Sequence, residues 1–379
     1  MQKTIERYRS QTQVGKKRFE KQLARQGKVY NRPKGTKSPG SGRVIISVPS
    51  VLNVYGYDDE HNFIETVKFV ERLKKNIKSD FTLDFYNTKD TKVAAMVFLF
   101  AAVDDLISEK NLTCKIRLSK EKSVNRLINA TGIRKIGNES HNNAADIVNY
   151  HRLPVLKGVN EEYTEEVIDF IKFKIYKNKM EPEQEQVLGS AIIEAVENVG
   201  NHAYPDEANE DRTWWMFTEV IAGQLFLTIY DKGIGMPKSI LGHKWLPKAL
   251  KSAYPDIYSN IIAKQKGGES IIGTILRLAS VSLNDIHLLN LAMSGDVSGT
   301  MAQGRGQGSK SIKSLVKENS NGRLWIVSNN AVYRLMQLKT ADNKSGEIEP
   351  DIKKLPRFFP GTLIQWNIKI DDKSKHDNS

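Results

Sequence analysis

The spacing of hydrophobic and polar positions changes several times between residues 43 and 140. Short apolar or alternating runs predict strands in RVIISV (43–48), FTLDFY (81–86) and TCKIRL (113–118). Helical spacing predicts helices over Phe63–Leu73, Val93–Leu106 and Val124–Thr131. Because strands and helices alternate in this way in α/β layer structures, residues 44–140 are predicted to form one α/β domain.

A polar, turn-rich segment, Ile136–Asn160, predicts a boundary before a second group of elements. Helical spacing follows in Glu161–Lys177 and in Pro182–His202, and two strands follow in Trp214–Ala222 and Leu225–Tyr230. The second helix opens with a proline and several glutamates, which suit the positive end of a helix. Residues from about 160 to 370 are therefore predicted to form a second domain.

Three polar side chains share one flank of the helix Pro182–His202. At 100° per residue, Glu194, Asn198 and His202 stack one turn apart beside a stripe of apolar residues. Polar groups at a half-buried edge need partners, and a bound phosphate with its magnesium ion would supply them. Taken alone, the spacing E-x-x-x-N is better explained by solvated edge residues or helix caps.

Two glycine-rich segments follow this helix. The strand LFLTIY runs into DKGIGMP, in which the glycines permit close backbone approach and Asp231 offers an acceptor suited to an exocyclic amine. Further on, GRGQG (304–308) leads into a helix over Ser309–Val316, a geometry that presents backbone N–H groups to phosphate. Each segment alone is also compatible with an ordinary turn.

The order and spacing of these motifs over residues 160–370 resemble the GHKL family of ATPases and kinases. The string EAVENVGNHAY (194–204) is most similar to the anti-sigma-factor kinases within that family. The resemblance implies a Bergerat fold of mixed sheet and helices that binds ATP with Mg²⁺. It also implies that Glu194 polarises the attacking water or hydroxyl, that Asn198 coordinates magnesium and that Asp231 binds the adenine amine.

The resemblance extends to further residues around the nucleotide. Gly233, Gly235 and Met236 would lie against the nucleotide, and Lys310 would add positive charge. Gly304, Gly306 and Gly308 would wrap the phosphates as part of a mobile lid. Thr362, in the sequence FPGTLI (359–364), would assist at the adenine. The sequence departs from the family in a long insert, residues 238–303, which is expected to belong to a lid or a partner surface.

The first domain resembles a second family. A strand FTLDF, a loop, an apolar helix, a strand and a short helix are similar in order to a STAS domain. STAS regulators often carry a phosphorylatable Asp-Ser-Ser-Gly-like loop before the apolar helix. Here the loop reads Thr88-Lys89-Asp90-Thr91-Lys92, which departs from that pattern.

Charge is concentrated at the start of the chain. The 57 Lys and Arg exceed the 44 Asp and Glu by 13, and residues 1–43 alone carry thirteen basic and two acidic residues. Because Pro33–Arg43 consists of turn-forming and basic residues, residues 1–43 are predicted to be a flexible basic arm and linker. Such an arm would bind nucleic acid through phosphate contacts, or would dock an acidic protein. Residues 371–379 are expected to be a disordered tail.

The sequence excludes several protein classes. The longest apolar run, Val93–Val103, is shorter than the ~20 residues that a membrane-spanning helix needs. No apolar segment follows the basic N-terminus, so no secretory signal is expected. The single cysteine cannot form an internal disulfide, which fits a reducing compartment, and a cytoplasmic location is expected.

Three functions remain open at this level. The first is an ATP-driven regulatory switch that hydrolyses ATP. The second is a serine/threonine kinase of the anti-sigma type that acts on a STAS partner, with Thr88 and Thr91 as candidate acceptors in the chain's own STAS-like domain. The third is a nucleic-acid-binding regulator in which ATP is only a ligand. The GHKL resemblance also implies a homodimer.

Overall fold

A computed structural model describes residues 43–136, 147, 150–208, 211–294, 308–319, 321–336 and 350–370. The predicted arm, apart from Arg43, and the predicted tail at 371–379 lie outside the described residues. All contacts discussed below lie within one unit of the chain, residues 44–379.

The N-terminal half of this unit is built around a small parallel sheet. Its elements are β1 (Val44–Ser47), β2 (Val51–Leu52), α1 (Glu60–Asn76), β3 (Phe81–Asp84), β4 (Asp90–Thr91), α2 (Val93–Lys110), β5 (Cys114–Arg117) and α3 (Lys122–Ala130). Strand β3 lies between β1 and β5, and both pairings are parallel. The short strands β2 and β4 form a separate parallel pair. The predicted α/β alternation of strands and helices is therefore confirmed.

Helix α2 is buried on almost every side, because apolar residues occupy nearly all of its first three turns. A helix with apolar residues on all sides belongs in the interior of a larger structure. None of the helices in the described part of the chain combines the length and the hydropathy that a bilayer crossing requires.

The C-terminal half contains an antiparallel sheet and helices. Its first elements are β6 (Leu156–Val159), α4 (Thr164–Phe170), α5 (Pro182–Asn198), β7 (Thr213–Ile221) and β8 (Gln224–Asp231). Next come α6 (Met236–Ser239), α7 (Leu246–Ala253), α8 (Pro255–Ile262), α9 (Ile271–Ser282) and α10 (Asp285–Met293). The last are α11 (Gly308–Lys317), β9 (Arg323–Met336) and β10 (Asp351–Lys369). Helices α4 and α5 each end in a π-helical turn, Ile171–Ile175 and Val199–Ala203.

The five strands of this half follow the order β6-β7-β8-β10-β9. Here the structure differs from the expectation of a mixed sheet, because every pairing among these five strands is antiparallel. The turn Ala222-Gly223 between β7 and β8 has positive φ at both residues, the conformation that closes a tight hairpin. A hairpin connection this short permits only antiparallel pairing.

Both faces of the antiparallel sheet are covered. Successive side chains of a strand point to opposite faces, so Trp214 packs with α4, α5 and α11, whereas Trp215 packs toward α2. Phe98 of α2 contacts the rings of Tyr230 and Phe359 at centroid distances of 5.4 and 4.7 Å. The two predicted domains therefore share one hydrophobic core, with α1 and α2 between the two sheets.

The predicted insert contains α7, α8, α9 and α10 within its described residues. These helices pack around their own small apolar core, which includes Leu250, Ile261 and Ile275. Helix α10 connects this lobe to the sheet, since the Asp285 carboxylate accepts hydrogen bonds from the backbone and side-chain nitrogens of Asn330, at 3.0 and 2.7 Å. The insert is thus anchored at Asn330, beside the register shift in the pairing of β9 with β10.

Candidate functional site

Helix α5 carries the predicted pair of polar residues. The helix begins with a capping box formed by Glu181 and Gln184, and its apolar stripe packs into the core. The amide nitrogen of Asn198 donates to Glu194 Oε1 at 3.1 Å, so the two side chains meet one turn apart as their spacing predicts. The Asn198 carbonyl oxygen remains as an acceptor for a further partner.

An open cleft lies between the end of α5, the end of β8 and β10. Five of the residues expected at a nucleotide line it: Asn198, Asp231, Gly235, Met236 and Thr362. His202 and Ser239 line it as well. Glu194 is not among the lining residues; it contacts the lining through its hydrogen bond with Asn198.

Asp231 and Thr362 face each other across the floor of the cleft, as cross-strand partners in β8 and β10. The Asp231 carboxylate is only 5% exposed and accepts hydrogen bonds from the backbone N–H groups of Gly233, at 2.8 Å, and Thr362. Burial raises the pKa of Asp231 to about 7, although both hydrogen bonds act in the opposite direction. This carboxyl group therefore changes charge near neutral pH.

The two glycines after Asp231 are required by contacts within the protein. A Cβ atom on Gly233 would lie 2.3 Å from the carbonyl oxygen of Ala203, the residue that ends the π-helical turn. The same carbonyl accepts a hydrogen bond from the N–H of Ile234 at 2.8 Å. Gly235 has φ +89°, and a Cβ atom there would lie 1.6 Å from Asn329 Oδ1. Both glycines therefore hold the turn against α5 and β9.

Ser328 and Asn329 are two site residues that the sequence analysis missed. The N–H of Met236 lies 3.0 Å from the hydroxyl oxygens of both Ser328 and Thr362. The Asn329 amide nitrogen donates to the Ile234 carbonyl at 3.1 Å. The signal in the sequence was the run Ser-Asn-Asn inside the apolar strand β9, since buried polar residues in a strand need specific partners.

Two titratable groups flank the cleft. Burial, with a smaller contribution from Glu197, raises the pKa of the half-buried Glu194 above its usual range, while the Asn198 hydrogen bond opposes the shift. The His202 ring contacts the ring of His243 from the insert at a centroid distance of 5.4 Å. Burial and the neighbouring His243 lower the pKa of His202, so its neutral form is favoured at pH 7.

The predicted phosphate loop falls largely outside the described chain. Gly304 and Gly306 lie outside the described residues, and Gly308 begins α11. Lys310, in the first turn of α11, is exposed. Neither Gly308 nor Lys310 is among the described residues that line the cleft, and that lining contains no Lys or Arg. The described cleft therefore matches the base-binding part of the expected site better than its phosphate-binding part.

The donor set fits a magnesium ion only together with phosphate oxygens. No group of three or more His, Cys, Asp or Glu in the described ranges is arranged to hold a metal ion. Mg²⁺ commonly takes one or two protein oxygens and completes its shell with water and substrate phosphates. The Asn198 carbonyl oxygen beside the Glu194 carboxylate is compatible with that arrangement.

Comparison of the sequence with protein-family models and with curated proteins finds no match. The functional assignment therefore depends on the motifs, the cleft and its chemistry.

Proposed function

We propose that this chain is a GHKL-type regulatory ATPase that binds Mg-ATP in the cleft and uses binding and hydrolysis as a conformational switch. In this proposal the C-terminal half is a variant of the Bergerat fold and the N-terminal half is a STAS-like module. The element order of the two halves and the convergence of distant motifs on one cleft support the assignment.

The observation that carries the proposal is the pairing of Asp231 with Thr362. Adenine presents a donor, its exocyclic amine, directly beside an acceptor, a ring nitrogen. The ionised Asp231 carboxylate accepts from the amine, and the Thr362 hydroxyl, its cross-strand partner, donates to the ring nitrogen. Backbone N–H groups hold the carboxylate in place, so the site is organised before the base arrives.

Glu194 and Asn198 supply the chemistry at the other end of the cleft. The Glu194 carboxylate orients a water molecule and takes its proton as the water oxygen attacks the terminal phosphorus, and ADP leaves with the electrons of the broken P–O bond. The raised pKa of Glu194 makes it a stronger base than an exposed carboxylate. Asn198 would hold the magnesium ion, which supplies charge neutralisation at the phosphates.

The site has a direct connection to the N-terminal half. Lys232, the residue after Asp231, pairs through its ammonium group with Asp105 of α2 at 3.0 Å. Asp105 also pairs with Lys74 of α1 at 3.2 Å. A shift of the Asp231–Gly235 turn on nucleotide binding would therefore change contacts at α2, which is the coupling that a switch requires.

The kinase alternative receives less support. The side chains of Thr88 and Thr91 are buried, and the Thr88 hydroxyl donates to the Pro49 carbonyl at 3.0 Å. Transfer of phosphate to either hydroxyl would require local unfolding of the loop. The nucleic-acid alternative depends on the basic arm, of which residues 1–42 lie outside the described residues, so it stays a prediction from charge alone.

The experiment that tests the proposal measures ATP binding by calorimetry and phosphate release from Mg-ATP. It compares the full chain with Glu194→Ala, Asp231→Asn and the control Glu183→Ala, an exposed change in the first turn of the same helix. We expect Glu194→Ala to bind ATP but to lose phosphate release, and Asp231→Asn to lose binding. A wild-type chain that binds no ATP, or a Glu194→Ala variant with unchanged turnover, would contradict the proposal.

A further inference from the structure

Strand β9 departs from regular geometry beside the cleft. Asn329 has φ +52°, in the left-handed region, and the pairing of β9 with β10 shifts register between Phe359 and Thr362. Irregular pairing of this kind redirects side chains and is common next to functional sites. Here it brings two fully buried polar residues, Ser328 and Asn329, behind the turn that follows Asp231.

The Ser328 hydroxyl lies at the centre of a hydrogen-bond network. Its oxygen is 2.9 Å from the Gly361 carbonyl, 3.1 Å from the Thr362 hydroxyl and 3.2 Å from Asn329 Oδ1. A hydroxyl has one proton to donate, and the Thr362 oxygen is an acceptor within reach of the Ser328 proton. The Thr362 oxygen also accepts from the Met236 N–H at 3.0 Å. When Ser328 donates to it, both lone pairs of the Thr362 oxygen are in use, so the Thr362 hydroxyl can only donate to a base in the cleft.

Asn329 helps to hold the turn in position. Its amide nitrogen donates to the Ile234 carbonyl at 3.1 Å, and its amide oxygen occupies the space that a side chain on Gly235 would fill. This amide group therefore acts together with the Ala203 carbonyl, which accepts from the Ile234 N–H, to place the Asp231–Gly235 turn beside Thr362. Positioning of this kind lets a site distinguish bases by hydrogen-bond direction.

We infer that Ser328 and Asn329 are positioning residues that give the cleft its preference for adenine, through the orientation of Thr362 and the placement of the Asp231–Gly235 turn. The inference rests on the proposed ATP site. Inosine triphosphate (ITP) is the matched probe, because its base presents a carbonyl and a ring N–H where adenine presents an amine and a ring acceptor. Ionised Asp231 and the Thr362 donor therefore favour ATP over ITP.

The test measures Kd for ATP and for ITP at pH 8, where Asp231 is ionised. The variants are Ser328→Ala, Ser328→Cys and Asn329→Gly, since glycine keeps the positive φ while it removes the amide. The control is Thr218→Val, because Thr218 is buried in β7 and its hydroxyl has no hydrogen-bond partner in the described structure. If Ser328→Ala does not fold, Ser328→Cys, which fills the site with a larger sulfur atom and a weaker donor, gives the same comparison.

We expect Ser328→Ala and Asn329→Gly to weaken ATP binding about tenfold and ITP binding less, so that the ATP/ITP preference falls at least about threefold. Thr218→Val is expected to keep both constants. Equal losses for ATP and ITP, or unchanged constants in both variants, would overturn the inference while the ATP site stands. A wild-type chain that binds neither nucleotide would overturn the proposed function and this inference with it.

Discussion

Replacement of Asp231 by asparagine should stabilise the protein at alkaline pH while it removes ATP binding. The pKa of Asp231 is raised from 3.8 to about 7 by burial. The folded state therefore binds this proton more tightly than the unfolded state, and stability falls as pH rises from about 4 to about 7. A difference of about three pKa units corresponds to ~4 kcal/mol of lost stability above pH 7.

Asparagine at position 231 does not titrate, and its carbonyl oxygen can still accept the Gly233 N–H that now bonds the carboxylate. We therefore expect Asp231→Asn to exceed the wild type in free energy of unfolding by up to ~4 kcal/mol at pH 8.5, and by much less at pH 5. In the proposed ATP site this gain in stability comes at the expense of binding, because the amide lacks the charge that would bind the adenine amine. A charged residue that makes the protein less stable than its uncharged variant is typically retained for binding.

The assay is urea unfolding of the wild type and the variant at pH values from 5 to 8.5. The contribution of groups that titrate elsewhere, including His202 and Glu194, cancels when the free energy of unfolding of the wild type is subtracted from that of the variant. Asp206→Asn, at an exposed position, is the control and should show no pH-dependent difference of this size. A difference between wild type and Asp231→Asn that is the same at pH 5 and pH 8.5 would refute the assignment of a buried, proton-binding carboxyl.

Three further predictions concern the cleft and the core. The affinity for Mg-ATP should rise about tenfold between pH 6 and pH 8, because the ionised fraction of a group with a pKa of about 7 rises by that factor. Calorimetry that finds no change in affinity would exclude Asp231 as the acceptor of the hydrogen bond from adenine. Gly235→Ala should lower the free energy of unfolding by at least ~2 kcal/mol and weaken ATP binding, because the added Cβ would overlap the Asn329 amide and φ at this position is +89°. Gly267→Ala is the control: no atom lies within 4 Å of its added Cβ, so this change should be nearly neutral in thermal unfolding. Residues 44–140 expressed alone should aggregate, because α2 would expose the face that packs on Tyr230 and Phe359, and a monodisperse, cooperatively folding fragment would contradict the shared core.

The local parts of the fold and site were predictable from the sequence. The period of apolar residues identified α2 and α5 within a few residues, and the helical repeat alone brought Glu194 and Asn198 together. Asp231 at the end of an apolar strand and the glycines after it were recognisable because strand, turn and helix signals are contiguous in the chain. These features depend on neighbours within about five residues, where backbone geometry determines side-chain placement.

The remaining features depend on residues that are distant in the chain. The pairing of β8 with β10, the contact of Asn329 with the Ile234 carbonyl and the packing of α2 on the antiparallel sheet each join segments about a hundred residues or more apart. The spacing of apolar residues along α2 shows that this helix is buried, but it does not show which surface covers it. The sequence by itself determined which side chains are candidates for the proposed site. Only the tertiary structure decided which of them meet, because long-range strand pairing and burial set those distances and the pKa of Asp231.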